Sequence, residues 1–212
     1  GLRGFWVFLA CLALGVAAIA AVGSVRSAIS EGLSREGRAI LGGDAEITLT
    51  YRFAEPEERA WMEARATAVS EVVDFRSMAV VDGPDGPERA LTQVKGVDPA
   101  WPLYGAPELS GDLTLDEALA RRDGRWGLVM APALADRLGL APGDPVRLGT
   151  ETYELRARLL SEPDQASGGF GLGPRTLMRR EALETAGLLA PGTLYESRYR
   201  LALPEGADLA AL

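Results

Sequence analysis

The stretch VSEVVDFRSMAVVDGPDGPERALTQVKGV, residues 69–97, decides the fold that this sequence predicts. Its apolar and β-branched residues are typical of strands, which are predicted over Val69–Val81 and Glu88–Val97. Between them GPDG, Gly83 to Gly86, combines the two residue types that most often reverse the chain. The sequence therefore predicts a long hairpin.

The residues before this hairpin predict a further strand and a helix. In AEITLTY, residues 45–51, apolar and polar side chains alternate, as they do in a strand with one buried face. Pro56 and the two glutamates that follow it suit the first turn of a helix, which is predicted to end near Ala68. A strand and a helix are thus expected directly before the hairpin.

The residues after the hairpin predict short strands and helices in alternation. Thr114 and Glu117 form a capping box for one helix, and Gly139 is expected to end another. Two segments rich in proline and glycine, 98–107 and 161–174, are predicted to be loops. Strands are predicted in WGLVMA, PVRLG, TYELRARLL and LYESRYRLALP, and helices in LTLDEALARR, APALADRLGL, RREALETAGL and EGADLAAL. The predicted fold class is α+β.

A long apolar stretch near the start, GFWVFLACLALGVAAIAAVGSV at residues 4–25, contains no charged side chain. A helix of this length extends over roughly 33 Å, which covers a bilayer core of about 30 Å. One alternative is a cleaved signal peptide, whose apolar part is usually only about 7–15 residues long. Another is a buried soluble helix, which would show a polar stripe. A transmembrane helix over residues 1–26 is the preferred interpretation.

One face of the predicted span carries small residues. Ala13, Ala17 and Ala21 recur at every fourth position, a spacing that lets transmembrane helices pack closely. An alanine-rich span without a partner would show the same pattern. The helix-packing face is therefore a hypothesis at this stage.

The residues after the span predict a stalk helix, residues 27–43. Val25, Ile29 and Leu33 follow one another at steps of four, which continues an amphipathic helix out of the bilayer. Gly42 and Gly43 are expected to end it. The span and the stalk would then form one continuous helix.

The composition excludes several classes of function. The chain has no histidine, so it contains no Ser-His-Asp or Cys-His group and no metal site that uses histidine. Its only cysteine, Cys11, lies in the predicted span and cannot form a disulfide within the chain. After Ile29 the sequence has 20 basic and 30 acidic residues, a net charge of −10, which argues against nucleic-acid binding. No catalytic residue, cofactor or metal site is predicted.

The predicted loop at 161–174 contains the residues that most invite a functional interpretation. Its GGFGLGPR lacks the Lys-Ser/Thr ending of a phosphate loop, so no nucleotide site is predicted. Phe170 and Leu172 are candidates for contact with apolar cargo or a partner, unless they pack on their own domain. Glu162 and Asp164 are interpreted as surface acids. The arginines of RLGTETYELRAR and YESRYR are expected to pair with neighbouring acids on solvated strand faces.

Four segments resemble a known family: LGGDAEITL, VDPAWPLYG, LADRLGLAPGDPVRLG and GFGLGPRTL. Together with the order of span, stalk and domain, they resemble the first half of a YbbP-like permease of the FtsX/MacB-type ABC transporter family. The third segment is widespread in that family, whereas the first and last point to the YbbP-like branch. The resemblance implies a MacB-like periplasmic domain, with a split βαβ subdomain at 44–82 and 192–212 and a strand-rich inserted subdomain at 83–191.

The resemblance also implies a location and a function. Such permeases lie in the bacterial inner membrane, so that residues from about 27 onward would be periplasmic. The expected role is non-catalytic and couples cytoplasmic ATP hydrolysis to export or extraction of hydrophobic or lipid-type cargo. The alternatives are an FtsX-like scaffold that binds and activates a separate envelope enzyme, and a membrane-anchored enzyme. The expected partners are a cytoplasmic ABC ATPase subunit, other transmembrane helices of the full-length permease, membrane lipid and a periplasmic protein, but no nucleic acid.

Overall fold

The chain forms two compact units, Gly1–Arg38 and Ala39–Leu212. The computed structural model of the protein describes residues 6, 12–17, 20, 21, 23, 41–84, 86–164, 173–189, 192–204 and 206–207. The description below of each unit refers to these residues.

In the first unit, residues 12–17 are α-helical. Ala13, Ala17 and Ala21 are helical and exposed. Within the described part of the chain, no helix combines the length and the apolar character needed to cross a membrane. Most of the predicted span and stalk lies outside the described residues, so both stay predictions.

The second unit is rich in strands and has few helices. Its elements are, in chain order, β1 (Ala45–Thr50), α1 (Pro56–Glu63), β2 (Ala68–Gly83), β3 (Gly86–Val97), β4 (Glu108–Leu109), α2 (Leu115–Leu119), β5 (Arg121–Arg122), β6 (Arg125–Met130), α3 (Pro132–Arg137), β7 (Pro145–Leu148), β8 (Glu151–Ser161), β9 (Arg175–Arg179), α4 (Glu181–Glu184) and β10 (Tyr195–Ala202). The predicted α+β class and the long β2–β3 hairpin are confirmed.

The described strands all belong to one connected sheet. Their order is β1-β10-β2-β3-β9-β6-β8-β4, with β5 beside β6 and β7 beside both β2 and β8. Because β7 joins β8 back to β2, the strands β2, β3, β9, β6, β8 and β7 form a closed circuit. The pairs β3–β9 and β6–β8 are parallel, and the other pairs of the circuit are antiparallel. Closure leaves the circuit without a free strand edge, except where a strand extends beyond its partner.

The six strands of the circuit form a barrel, and the largest apolar core contains alternate side chains of these strands. Val73, Val94, Leu155 and Met178 come from four strands of the circuit and are fully buried. Tyr153 is buried with them, and its hydroxyl donates a hydrogen bond of 2.9 Å to the carbonyl of Ala182. Side chains that alternate along each strand therefore converge in one core, as in other small barrels.

Strands β1 and β10 extend the sheet beyond the barrel. β10 pairs antiparallel with β1 and with the first half of β2. Met62 of α1 packs with Tyr199 and Leu201 of β10 in a separate apolar core. Because side chains alternate along a strand, Arg198 and Arg200 lie on the opposite face.

The segment between β3 and β6 packs in a third apolar core. Trp101 is 3% exposed and lies among side chains of β2, β3, β6, β8 and β9. At the start of α2, the Glu117 N–H donates to Thr114 Oγ1, and the Thr114 N–H donates to the Glu117 carboxylate at 2.9 Å. The predicted capping box is confirmed. At the other end of α2, Arg156 Nη1 donates to the carbonyls of Glu117 and Ala120.

The structure differs from the sequence-based prediction in the lengths of its helices and in strand β9. Helix α1 ends at Glu63, short of the predicted end near Ala68, and α4 has only four residues where ten were predicted. Strand β9 is absent from the prediction because the prolines and glycines just before it favour a loop. The predicted subdomain boundary falls at the end of β2, and strands on both sides of it pair in the same sheet. The division into two subdomains stays a prediction.

Candidate functional site

The chain enters β1 through two glycines that are confined by buried side chains. Leu41 is helical, and Gly42 follows it with φ +75°, a left-handed conformation that glycine adopts at helix ends. A Cβ atom on Gly42 would lie 2.7 Å from Cβ of Asp164 and 3.0 Å from the Arg200 side chain. A Cβ atom on Gly43 would lie 3.1 Å from Cβ of Arg200. The helix ends where the sequence predicts, and no side chain fits between this turn and its neighbours.

The ammonium group of Lys95, on β3, is buried next to Asp164. Lys95 is 2% exposed, and its Nζ lies 2.8 and 2.9 Å from the two carboxylate oxygens of Asp164. It also lies 3.2 Å from Oε2 of Glu162 and 4.6 Å from the centre of the Trp101 ring. Burial of a charge costs several kcal/mol unless partners compensate it. The two carboxylates and the ring together supply that compensation.

Asp164 connects Lys95 to the strands that follow the glycine turn. It forms an ion pair with Arg200 of β10 and accepts a hydrogen bond of 3.2 Å from Nε1 of Trp101. Arg200 Nε in turn donates to Oε2 of Glu46, on β1, at 3.0 Å. Asp164 itself adopts φ +61°, which is uncommon for a residue with a side chain. Its several partners hold it in that conformation.

Glu162 continues the network to the start of β9. Its Oε1 accepts a hydrogen bond of 2.9 Å from Nε of Arg175, and Nη1 of Arg175 donates to Asp74 of β2 at 2.7 Å. We name this group the stalk-junction cluster, and define it as Glu46, Asp74, Lys95, Glu162, Asp164, Arg175 and Arg200. It joins the described residues on both sides of the connection between β8 and β9 to β1, β2, β3 and β10.

The interpretation of Glu162 and Asp164 as surface acids is wrong. They are 9% and 2% exposed. The expectation of solvated strand faces is also wrong for Arg156, Arg198 and Arg200, which are 6%, 8% and 0% exposed. Alternating polar residues ordinarily mark a solvated strand face. Here the covering residues, Gly42 and residues 162–164 among them, are remote in sequence, so no local pattern reveals them.

The buried, paired Lys95 is absent from the candidate residues that the sequence predicts. It stands in VKGV at the end of a strand whose neighbours are apolar. Lysine is almost never fully buried unless it is paired. A lysine with apolar neighbours inside a predicted strand is therefore the available signal for a buried ionic partner.

A separate group of buried charges centres on Glu71 of β2, which binds two arginines. It pairs with Arg59 of α1 at 2.7 Å and with Arg180, which precedes α4. Asp98 lies beside it and accepts hydrogen bonds from the backbone N–H groups of Glu71 and Trp101, at 2.9 and 3.1 Å. Burial raises the pKa of the Asp98 carboxyl, although these hydrogen bonds oppose the rise. This group ties α1 and α4 to the sheet, but both arginines are partly exposed, which weakens the ion pairs.

The described residues also line two open clefts, of about 270 and 370 Å³. The apolar side chains that line the larger cleft include Phe53, Leu183 and Leu189. Arg180 and Glu184 on its wall pair with each other at 3.0 Å. The buried charges of this unit thus link chain segments to one another.

Comparisons with known proteins give this arrangement its context. The family model of the MacB-like periplasmic core domain matches residues 5–212. The chain is 29% identical over 192 residues to YbbP of Escherichia coli strain K12, which carries the description "uncharacterized ABC transporter permease". That match covers 89% of this chain and 22% of the relative, so the chain spans about a fifth of the length of the curated relative it matches.

Two solved structures are also similar to this chain. One is the extracellular domain of the noncanonic ABC-type transporter YknZ from Gram-positive bacteria, with 12% identity and a TM-score of 0.44 over 73% of this chain and 83% of that chain. The other is the periplasmic region of MacB from Actinobacillus actinomycetemcomitans, with 10% identity and a TM-score of 0.46 over 81% of each chain.

Proposed function

This chain belongs to the MacB-like periplasmic core domain family, and we propose that it is the extracytoplasmic domain and first membrane span of an ABC transporter permease subunit. In this role it lies in the bacterial inner membrane, with residues from about 27 onward in the periplasm. It couples ATP hydrolysis by a separate cytoplasmic subunit to export or extraction of hydrophobic or lipid-type cargo. The permease description of the E. coli relative supports the proposal.

The observation that carries the coupling role is the close packing of Gly42 and Gly43 against Arg200. A Cβ atom on either glycine would lie within about 3 Å of the Arg200 side chain, so nothing separates the stalk exit from β10. A folded interior is densely packed and transmits displacement rather than absorbing it. A movement of the stalk would therefore reach the sheet directly.

The test inserts a Gly-Ser-Gly linker between Gly42 and Gly43 of the full-length permease, assembled with its ATPase subunit in proteoliposomes. The same linker after Gly111 is the matched control, because Gly111 is exposed and has no neighbouring atom within 4 Å of a Cβ position. We expect the junction insertion to abolish cargo-dependent ATPase stimulation and the control to retain it. Full activity of the junction insertion would overturn the coupling role.

Phe170 and Leu172, which lie outside the described residues, are proposed to contact apolar cargo or a periplasmic partner. The support for this contact is the composition of the segment, in which two large apolar side chains stand among glycines. The double variant Phe170→Ser/Leu172→Ser should reduce transport while leaving ATP hydrolysis without cargo unchanged. Unchanged transport would contradict the proposed contact of Phe170 and Leu172.

Ala13, Ala17 and Ala21 are proposed to pack against another transmembrane helix of the full-length permease. Leucine in place of Ala17 would force the two helix backbones apart, because only small side chains let them approach closely. Leu14 lies on another face of the helix and is already leucine, so the helix itself tolerates this side chain. Disulfide crosslinking between cysteines placed at Ala17 and in the other spans measures the contact. Absence of any crosslink at this position, with crosslinks formed from Leu14, would contradict it.

A further inference from the structure

We propose that the stalk-junction cluster is a lock that transmits displacement of Gly42 to the start of β9, through Asp164, Lys95, Glu162 and Arg175. This inference rests on the proposed coupling function and adds the route inside the domain. It assigns Lys95 as the central residue of the lock.

The first step of the route is steric. Gly42 lies so close to Asp164 and Arg200 that a Cβ atom on it would overlap with both side chains. Asp164 also adopts a left-handed backbone conformation, which leaves it little freedom to adjust. A shift of Gly42 toward the sheet must therefore move Asp164, Arg200 or both.

The second step is electrostatic. Asp164 and Glu162 bind the same ammonium group, that of Lys95, at 2.8 and 3.2 Å. The opposite oxygen of Glu162 binds Arg175 at 2.9 Å. Because Lys95, Glu162 and Asp164 are buried, the loss of one of them leaves an uncompensated charge in the interior, and their contacts are retained or lost together.

The third step ends at hydrogen bonds whose opening is measurable. Pro174, next to Arg175, accepts hydrogen bonds from the Gln93 N–H at 3.0 Å and from Thr92 Oγ1 at 2.9 Å. The carbonyl of Arg175 accepts one from the Ala131 N–H at 2.8 Å. The exchange rates of the Gln93 and Ala131 amides therefore report on the start of β9.

The test is hydrogen exchange of the full chain in lipid nanodiscs, with Gly42→Ala as the perturbation. The matched control is Gly139→Ala, which imposes the same left-handed strain, φ +63°, with no atom within 4 Å of the new Cβ. We expect Gly42→Ala to accelerate exchange at Gln93 and Ala131 at least tenfold and Gly139→Ala to leave it within twofold. Unchanged exchange at both amides in a folded Gly42→Ala variant would overturn the lock.

A second variant, Asp164→Asn, keeps the shape of the side chain and removes its charge, so the test does not depend on whether Gly42→Ala folds. The amide of Leu155, which donates to the Asp144 carbonyl at 3.0 Å, lies outside the cluster and serves as the internal reference. We expect exchange to rise at Gln93 and Ala131 but not at Leu155. An equal rise at all three would mean general destabilisation and overturn the lock. Exchange results that support the lock, combined with an active linker insertion, would reject the coupling function alone.

Discussion

The charge of Lys95 is balanced inside the protein rather than by water. Its partners Glu162 and Asp164 are also buried. Lys95→Met keeps most of the side-chain volume but leaves both carboxylates without their shared cation. Removal of one member of a buried ion pair typically costs about 3–5 kcal/mol. We expect a loss of this size in the free energy of unfolding, measured by denaturant titration.

Arg89→Met is the matched control for that variant. Arg89 lies on the same strand as Lys95 but is exposed. Surface substitutions of this kind usually change stability by no more than about 0.5 kcal/mol. Similar losses for the two variants would contradict the assigned role of Lys95.

Glu58 predicts a pH dependence of stability at the surface. Its carboxylate accepts hydrogen bonds of 2.6 and 2.8 Å from Arg52, and one of 2.9 Å from the Glu55 N–H. These contacts lower the pKa of Glu58 from 4.5 to about 2. As the pH falls, the unfolded chain protonates Glu58 near pH 4.5, whereas the folded protein protonates it only near pH 2. The contribution of Glu58 to the free energy of unfolding is therefore fully present above pH 4.5 and is lost as the pH falls to about 2.

Comparison of the wild type with Glu58→Gln, by thermal unfolding between pH 6 and pH 2, measures this contribution. The two midpoints should differ most at pH 6 and converge as the pH falls toward 2. A difference that stays constant with pH would show that the Glu58 charge contributes nothing.

At the scale of elements, α2 depends on its capping box. Helices this short are marginal in isolation, so their first turn needs partners for its free N–H groups. Thr114→Ala removes one of the two reciprocal hydrogen bonds and should lower the free energy of unfolding by about 1 kcal/mol. Thr150→Ala, at an exposed position, is the control and should change it by less than about 0.5 kcal/mol. Equal effects would show that the cap does not stabilise the domain.

The elements that sequence reasoning identified are those with local signals. The GPDG turn, the Thr114–Glu117 box and the glycines at 42 and 139 all act within a few residues of themselves. Strand β9 has no such signal. Its residues form a strand because β3 and β6 lie on both sides and supply hydrogen-bond partners that are remote in sequence.

At the scale of the whole molecule, β2 pairs with strands of both predicted subdomains. It pairs with β10 over its first half and with β3 from Val72 to Gly83. We therefore expect one cooperative unfolding transition. Fluorescence of variants that retain only Trp61, in α1, or only Trp126, in β6, should give coincident denaturation midpoints. Separate midpoints would instead support two independently stable subdomains.

The sequence by itself determined the α+β class, the β2–β3 hairpin, the helix stop at Gly42 and the absence of histidine chemistry. Each of these follows from composition or from contacts between near neighbours in the chain. Only the tertiary structure decided the closure of the barrel through β7 and the burial of Lys95, Asp164 and Arg200. Closure and burial depend on segments that are distant in the sequence, and the residues next to Asp164 and Arg200 do not show whether the partners of these two charges are water or buried ions.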